Sequence, residues 1–294
     1  MNLLRIPTTY AAWIDLPGSG LYSGNQTKWL RQISEYAITQ YDMHIMVDVH
    51  SLPGGVNGLD IGEKEGNWGW FYNETAWEHS LRVVDHVLGF IASSASPASF
   101  TFEPMNEPVD MNKESELGMA VFGTPAALSG RAAAYVLRFW KAVLERTRAF
   151  ESQSESGLGV NIPVAFQSFK LPSYWKGNFT AEDNVVFDMH NYYFEGRNTT
   201  SENLPLYMLD DAKQKSGDGP IPVFIGEWAI QTASGNQLAL RERNVKAGME
   251  LWKKYMQGSA YWSGKYKGNG TVAGEGTKKD YWNFERFIEL GYFD

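Results

Sequence analysis

The chain has 294 residues, a net charge of −8 and no cysteine. The acidic balance argues against a nucleic-acid partner, which needs a basic patch, and the lack of cysteine excludes disulfides and thiolate-bound metals. No apolar run approaches the roughly 18 residues needed to span a membrane.

Asn2 to Pro7 reads as a short strand ended by proline. Arg5 lies within it, between Leu4 and Ile6, and is expected to be buried against a carboxylate. An amphipathic helix is predicted from Thr27 to about Gln40, with Trp29, Leu30, Ile33, Ala37 and Ile38 on one face. His44 to His50 is a β-branched strand. The glycine-rich stretch from Ser51 to Gly69 follows. It is long against the roughly 2–6 residues usual for such connections, and carries Asn57, Asp60 and Trp68, with Trp70 directly after it. Long loops after strands commonly carry function.

A helix is predicted from Thr75 to Ala92 and a strand from about 99 to 105, ending in Asn106-Glu107-Pro108. Val109–Pro125 reads as a loop, Ala126–Phe150 as a helix and Glu151–Gly159 as a polar loop. Strands are expected at 163–167 and at Val185–Tyr192, where alternation places Asp188, His190 and Tyr192 on one face. A partly helical stretch at Ser201–Lys215 precedes the strand Pro222–Trp228, which carries Glu227. A helix at Asn236–Gln257, a last strand at Ser259–Trp262 and a helix at Tyr281–Leu290 complete the chain.

Strands and helices alternate throughout, which implies a parallel sheet covered by helices. Seven strands are visible where a closed (β/α)₈ barrel has eight. The expected fold class is therefore an α/β (β/α)₈ barrel with its first strand and helix missing, and residues 1–294 are expected to form a single catalytic domain. An open seven-stranded sheet is the alternative.

Two acids, Glu107 and Glu227, stand at strand C-terminal ends, where α/β folds place their chemistry. Retaining glycoside hydrolysis needs such a pair, roughly 5–5.5 Å apart. One carboxyl hands a proton to the leaving oxygen, and the other attacks the anomeric carbon. His50, His190, Tyr192 and Trp262 also fall at strand ends. The 11 Trp and 15 Tyr fit both a large aromatic core and stacking surfaces for sugar rings. Trp70, with Trp68, Phe71 and Tyr72, is read either as a lid packing on the long loop or as a clamp on the leaving group. Five Asn-x-Ser/Thr acceptor motifs, at Asn25, Asn73, Asn178, Asn198 and Asn269, point towards a secreted glycoprotein.

The ordered set Arg5 in Leu-Arg-Ile-Pro, His50 in Val-Asp-Val-His, Asn106-Glu107-Pro108, His190-Asn191-Tyr192, Glu227 in Ile-Gly-Glu-Trp, and Trp262 resembles glycoside hydrolase family 5. The resemblance implies Glu107 as acid/base, Glu227 as nucleophile and Asn106 on the sugar 2-hydroxyl. It implies Trp262 as the floor of the −1 subsite, with His50 and His190 lining it and Arg5 and Tyr192 orienting Glu227. No metal or organic cofactor is expected. The His50–Asp60 segment resembles a loop of fungal exo-β-1,3-glucanases, with Ser51 in place of a glycine. Asn67–Thr75 and Val121–Pro125 look more like fungal β-diglycosidases of the rutinosidase type.

The leading expectation is thus a secreted, monomeric exo-acting glucan 1,3-β-glucosidase taking a β-glucan or β-glucoside. The alternatives are a β-diglycosidase acting on plant glycosides and a catalytically impaired carbohydrate-binding barrel. Those relatives carry a further strand and helix before the Arg5 strand and a signal peptide. Lacking them, the chain is expected to be of low stability or a fragment, since exposed sheet edges and apolar helix faces are a liability.

Overall fold

A computed structural model describes residues 1–110, 122–152, 161–217 and 219–293. Most of the loop expected at Val109–Pro125, and nearly all of the polar loop expected at Glu151–Gly159, lie outside the described residues. The chain forms two compact units: Met1–Lys170 with Gly177–Val186, and Leu171–Lys176 with Phe187–Asp294.

The first unit carries β1 (Leu3–Thr9), β2 (His44–Ser51), β3 (Phe100–Glu103) and β4 (Val164–Gln167), hydrogen-bonded in that order and parallel. Helices α1 (Gln26–Tyr41), α2 (Glu74–Ala92) and α3 (Gly130–Ser152) connect or follow them. The second unit carries most of β5 (Val185–Tyr193) and all of β6 (Val223–Thr232), again parallel. Its helices are α4 (Leu204–Lys215), α5 (Arg241–Tyr255) and the short α6 (Lys279–Trp282) and α7 (Phe284–Glu289). The strand expected at Ser259–Trp262 is reduced to one parallel bridge, Ile225 with Ser259. It is extended by hydrogen bonds from Ala260 N–H to Ile225 O (2.8 Å) and from Trp262 N–H to Trp228 O (2.9 Å). No helix among the described residues is long and apolar enough to cross a membrane.

Strand periodicity sorts the polar residues of the first unit. In β2, Ile45, Val47 and Val49 are fully buried on one face, while Met46, Asp48 and His50 alternate with them. In β3, Phe100 and Phe102 alternate with Thr101 and Glu103. The register sets Asp48 directly beside Glu103. Two neighbouring carboxylates, both fully buried, repel unless a cation joins them.

The structure corrects two further local expectations here. Pro7 does not end its strand, for β1 continues to Thr9. A proline without an N–H is tolerated in a strand at a sheet edge, and β1 is the first strand in the order. In α1 the buried stripe is Leu30, Ser34, Ala37 and Ile38. Trp29 and Ile33 are instead 54% and 51% exposed, because they lie with Tyr36 on a neighbouring stripe of the helix.

Trp70, open above to both a lid and a clamp reading, is fully buried in the core. Its ring meets Phe71, Tyr135 and Phe139 edge-on at centroid distances of 5.0, 5.2 and 5.4 Å, and its indole N–H donates to Ser80 Oγ at 3.1 Å. The aromatic face that a ligand would need is taken up by α2 and α3. Replacing Trp70 with alanine is therefore expected to lower stability by about 3–5 kcal/mol, the usual loss for a buried aromatic. Denaturant unfolding measures this, and a loss below about 1 kcal/mol would place the ring outside the core.

Candidate active site

Arg5 projects from β1 between the two facing acids. Its Nε donates to Glu103 Oε2 at 2.7 Å, and its Nη2 lies 3.1 Å from Asp48 Oδ2 and 2.9 Å from Asn106 Oδ1. The side chain of Arg5 is 2% exposed and both carboxylates are fully buried. The expectation of a buried carboxylate partner for Arg5 holds, and both Asp48 and Glu103 are such partners. A guanidinium suits this position because its planar fork serves several acceptors at once.

The bonds then close into a ring. Arg5 has no acceptor, so Asn106 must turn its carbonyl oxygen to it. That leaves the Asn106 amide nitrogen facing His50 Nε2 at 3.3 Å. The nitrogen donates, so Nε2 accepts, and the proton of neutral His50 sits on Nδ1. Nδ1 lies 2.6 Å from Asp48 Oδ2, which also receives Arg5. One buried cation thereby fixes the orientation of an amide and the tautomer of an imidazole. Asp48 and Glu103 went unnamed as site residues in the sequence. The signal was present, however: an acid inside an apolar strand needs a partner.

Glu107 follows directly. It is 3% exposed and adopts a left-handed backbone, with φ of +46°. That conformation is uncommon for a residue with a side chain, and the residue before a proline is pushed towards extended geometry instead. Such backbone costs on the order of 1–3 kcal/mol and persists only where the surroundings enforce it. Here the Glu107 N–H donates to Gln167 Oε1 at 2.6 Å, and its carbonyl accepts from Asn57 Nδ2 at 3.2 Å. Gln167 terminates β4, and Asn57 comes from the glycine-rich loop. Neither role had a local sequence signal.

The glycine-rich loop is tied down along its length. Tyr10 donates to one carboxylate oxygen of Glu63, and Asn67 donates to the other. Burial, reinforced by the Glu63 carboxylate, holds the Tyr10 phenol well above its ordinary pKa. Gly55 has φ of +77°, and a Cβ there would fall 2.2 Å from Asn67 O, so only glycine fits. Trp68 is half-buried against Val109, Ala127 and Phe169.

In the second unit, Glu227 sits on β6 beside His190 of β5, with a register shift between Met189 and His190. Tyr192 OH donates to Glu227 Oε2 at 2.7 Å. His190 Nδ1 lies 3.6 Å from the same oxygen, and its Nε2 lies 3.6 Å from Asp188 Oδ2. Both distances are electrostatic contacts rather than hydrogen bonds. Asp188 accepts the Gly226 N–H, and a Cβ at 226 would fall 1.8 Å from Asp188 Oδ2. The glycine before Glu227 is therefore a condition for Asp188 to lie there.

Tyr192 is itself held from behind. Its ring stacks on Trp282 at 5.2 Å and 19°, and the Trp282 indole donates to Gln231 Oε1 at 2.5 Å. The backing of Tyr192 by Trp282 was not legible in the sequence, since the two lie some 90 positions apart. Trp262 is half-buried, immediately before a cis peptide to Ser263.

The expected residues thus gather in two groups. Arg5, His50, Asn106 and Glu107 belong to the first unit, with Asp48, Glu103, Asn57 and Gln167 added. His190, Tyr192, Glu227 and Trp262 belong to the second, with Asp188 and Trp282 added.

Crystal structures of the rutinosidase from Aspergillus niger and of AoRut are 56% and 58% identical to the chain. Each covers all of it with a TM-score of 0.93, over 79% and 78% of the respective neighbour. A family 5 xyloglucanase from Paenibacillus pabuli, 14% identical with a TM-score of 0.62 over 99% of the chain and 87% of its own, shares the fold alone. The glucan 1,3-beta-glucosidase of Yarrowia lipolytica is 23% identical, spanning 100% of this chain and 71% of that protein. Glucan 1,3-beta-glucosidase 1 of Schizosaccharomyces pombe is 24% identical, over 78% of this chain and 51% of that protein. The chain thus spans about half the length of the latter. The fold class is that of the (β/α)₈ barrel enzymes, and the described residues supply six of its strands. With the family described as Cellulase (glycosyl hydrolase family 5) matching residues 1–268, the chain belongs to glycosyl hydrolase family 5.

Proposed function

We propose that the chain hydrolyses β-glycosidic bonds with retention of anomeric configuration, Glu107 serving as acid/base and Glu227 as nucleophile. The observation that carries this is the environment of Glu227 in a family 5 chain: a phenolic hydroxyl donates to one carboxylate oxygen at 2.7 Å. A donor aimed at a carboxylate stabilises its charged form, which a nucleophile requires.

In the first step the Glu107 carboxyl gives its proton to the glycosidic oxygen. Glu227 attacks the anomeric carbon, the carbon–oxygen bond to the leaving group breaks, and a glycosyl ester forms. In the second step Glu107, now a carboxylate, takes a proton from water. The hydroxide oxygen displaces Glu227, and the sugar leaves with its original configuration. Asn106, its amide locked by Arg5 and His50, is suited to hold the sugar 2-hydroxyl. Trp262 is suited to stack under the sugar ring. His50 and His190 are assigned to the same subsite, within residues 1–294 acting as one catalytic domain.

Two substrate readings share this chemistry. The names of the curated fungal relatives support removal of glucose from β-1,3-glucan. The likeness to a rutinosidase at 56% identity over the whole chain supports release of a disaccharide from a plant glycoside, and it is the higher of the two identities. Secretion as a glycoprotein fits the exposure of four acceptor asparagines, Asn25, Asn73, Asn198 and Asn269.

Three measurements test the proposal. Glu227→Ala is expected to abolish turnover, and added azide to restore it as a glycosyl azide of inverted configuration. Full residual activity would remove the nucleophile assignment. Glu107→Ala is expected to spare 4-nitrophenyl glycosides at least a hundredfold better than natural ones, because a good leaving group needs little proton donation. Equal losses on both would count against Glu107 as the proton donor. With rutin and laminarin side by side, disaccharide release from rutin is expected to be the faster; faster glucose release from laminarin would establish the glucanase reading instead.

A further inference from the structure

The left-handed backbone of Glu107 is held by two side chains that the proposed chemistry does not use. Gln167 accepts the Glu107 N–H at 2.6 Å, and Asn57 donates to the Glu107 carbonyl at 3.2 Å. They come from β4 and from the glycine-rich loop, so the peptide units on either side of Glu107 are gripped from different parts of the first unit. We infer that Gln167 and Asn57 are positioning residues for the acid/base, acting on its backbone rather than on substrate. The inference rests on the reading of Glu107 as proton donor.

Three observations carry it. First, Gln167 is fully buried, and its Nε2 has no hydrogen-bond partner among the described residues. Burying an amide with one end unsatisfied is unfavourable, and an apolar side chain of the same length would pack at lower cost. The feature that sets glutamine apart at 167 is its bond to Glu107. Second, Asn57 is also fully buried and is itself oriented, since its Oδ1 accepts the Leu59 N–H at 3.1 Å. Its amide nitrogen is thereby aimed at the Glu107 carbonyl. Third, the same loop hydrogen-bonds the chain two residues further on, Val109 N–H to Val56 O at 2.9 Å. The loop therefore clasps the segment that follows β3 at two points. The glycine-rich stretch works here as part of the mould for Glu107.

Without these bonds, a pre-proline glutamate would relax towards extended geometry. Its Cα–Cβ bond would then swing to a new direction, and the carboxyl would leave the position from which it donates. A displacement of about 1 Å can cost a hundredfold in rate. The loss should fall on proton donation, so it should depend on the leaving group.

The test compares kcat/KM for a 4-nitrophenyl and a phenyl glycoside of a sugar that the wild-type chain accepts. Gln167→Met removes the acceptor at nearly constant volume. It is expected to raise the 4-nitrophenyl to phenyl ratio at least tenfold, and Asn57→Ala to move it in the same direction. In a Glu107→Ala background, Gln167→Met should add nothing to the ratio, because both act through one carboxyl. Gln167→Glu keeps an acceptor at the same reach and should restore the wild-type ratio, which also covers the case of a Met variant that fails to fold. An unchanged ratio in Gln167→Met, an additive effect in the double variant, or a Gln167→Glu ratio raised at least tenfold would each overturn the inference. If Glu107→Ala by itself shows no leaving-group dependence, the acid/base assignment fails; if it does and Gln167→Met does not, only the positioning role fails.

Discussion

A single buried guanidinium organises the first unit. Strand register brings Asp48 beside Glu103 inside the protein, an arrangement that two bare carboxylates could not keep. Arg5 reaches both and has donors left for Asn106. Replacing such a cluster with apolar residues often leaves stability unchanged or improves it, while removing one member alone is strongly destabilising. The cluster is better understood as a device for orientation. Through it, a positive charge on β1 dictates which way the Asn106 amide faces and which nitrogen of His50 carries the proton.

Glu107 stands one residue beyond that cluster, and its constraint is of a different kind. The charged network holds side chains; Gln167 and Asn57 hold backbone. The two devices meet at the Asn106–Glu107 peptide, where one residue presents an oriented amide and the next a carboxyl in an enforced conformation. Strain of this sort is stored where the surrounding contacts over-determine it. The glycine-rich loop supplies part of that surplus.

The second unit follows a similar plan with fewer charges. Glu227 is approached by Tyr192 and His190, and each approach depends on something behind it. Trp282 backs Tyr192, and Asp188 faces His190. The absence of a side chain at Gly226 leaves room for the Asp188 carboxylate. A three-step chain of support from Gln231 through Trp282 and Tyr192 to Glu227 can be traced in hydrogen bonds and ring contacts.

Much of this was legible in the chain of residues. Alternating apolar runs placed all six strands and most helices within a few positions, because periodicity is a local property that local chemistry imposes. Acids at the ends of apolar runs, an asparagine before one of them and an arginine inside a strand pointed to the candidate site for the same reason. What was not legible depended on partners distant in sequence. Trp70 could be read as a packing lid or as a ligand-facing clamp until α2 and α3 closed around it. Trp29 and Ile33 looked like core until the helix chose its neighbouring stripe. The roles of Gln167, Asn57 and Trp282 come from strand register and loop path, which set who meets whom at 3 Å across long separations. The sequence by itself determined which groups were available and on which elements they stand; only the tertiary structure decided which polar atoms would satisfy one another, since a hydrogen bond is specified by position in space and not by spacing along the chain.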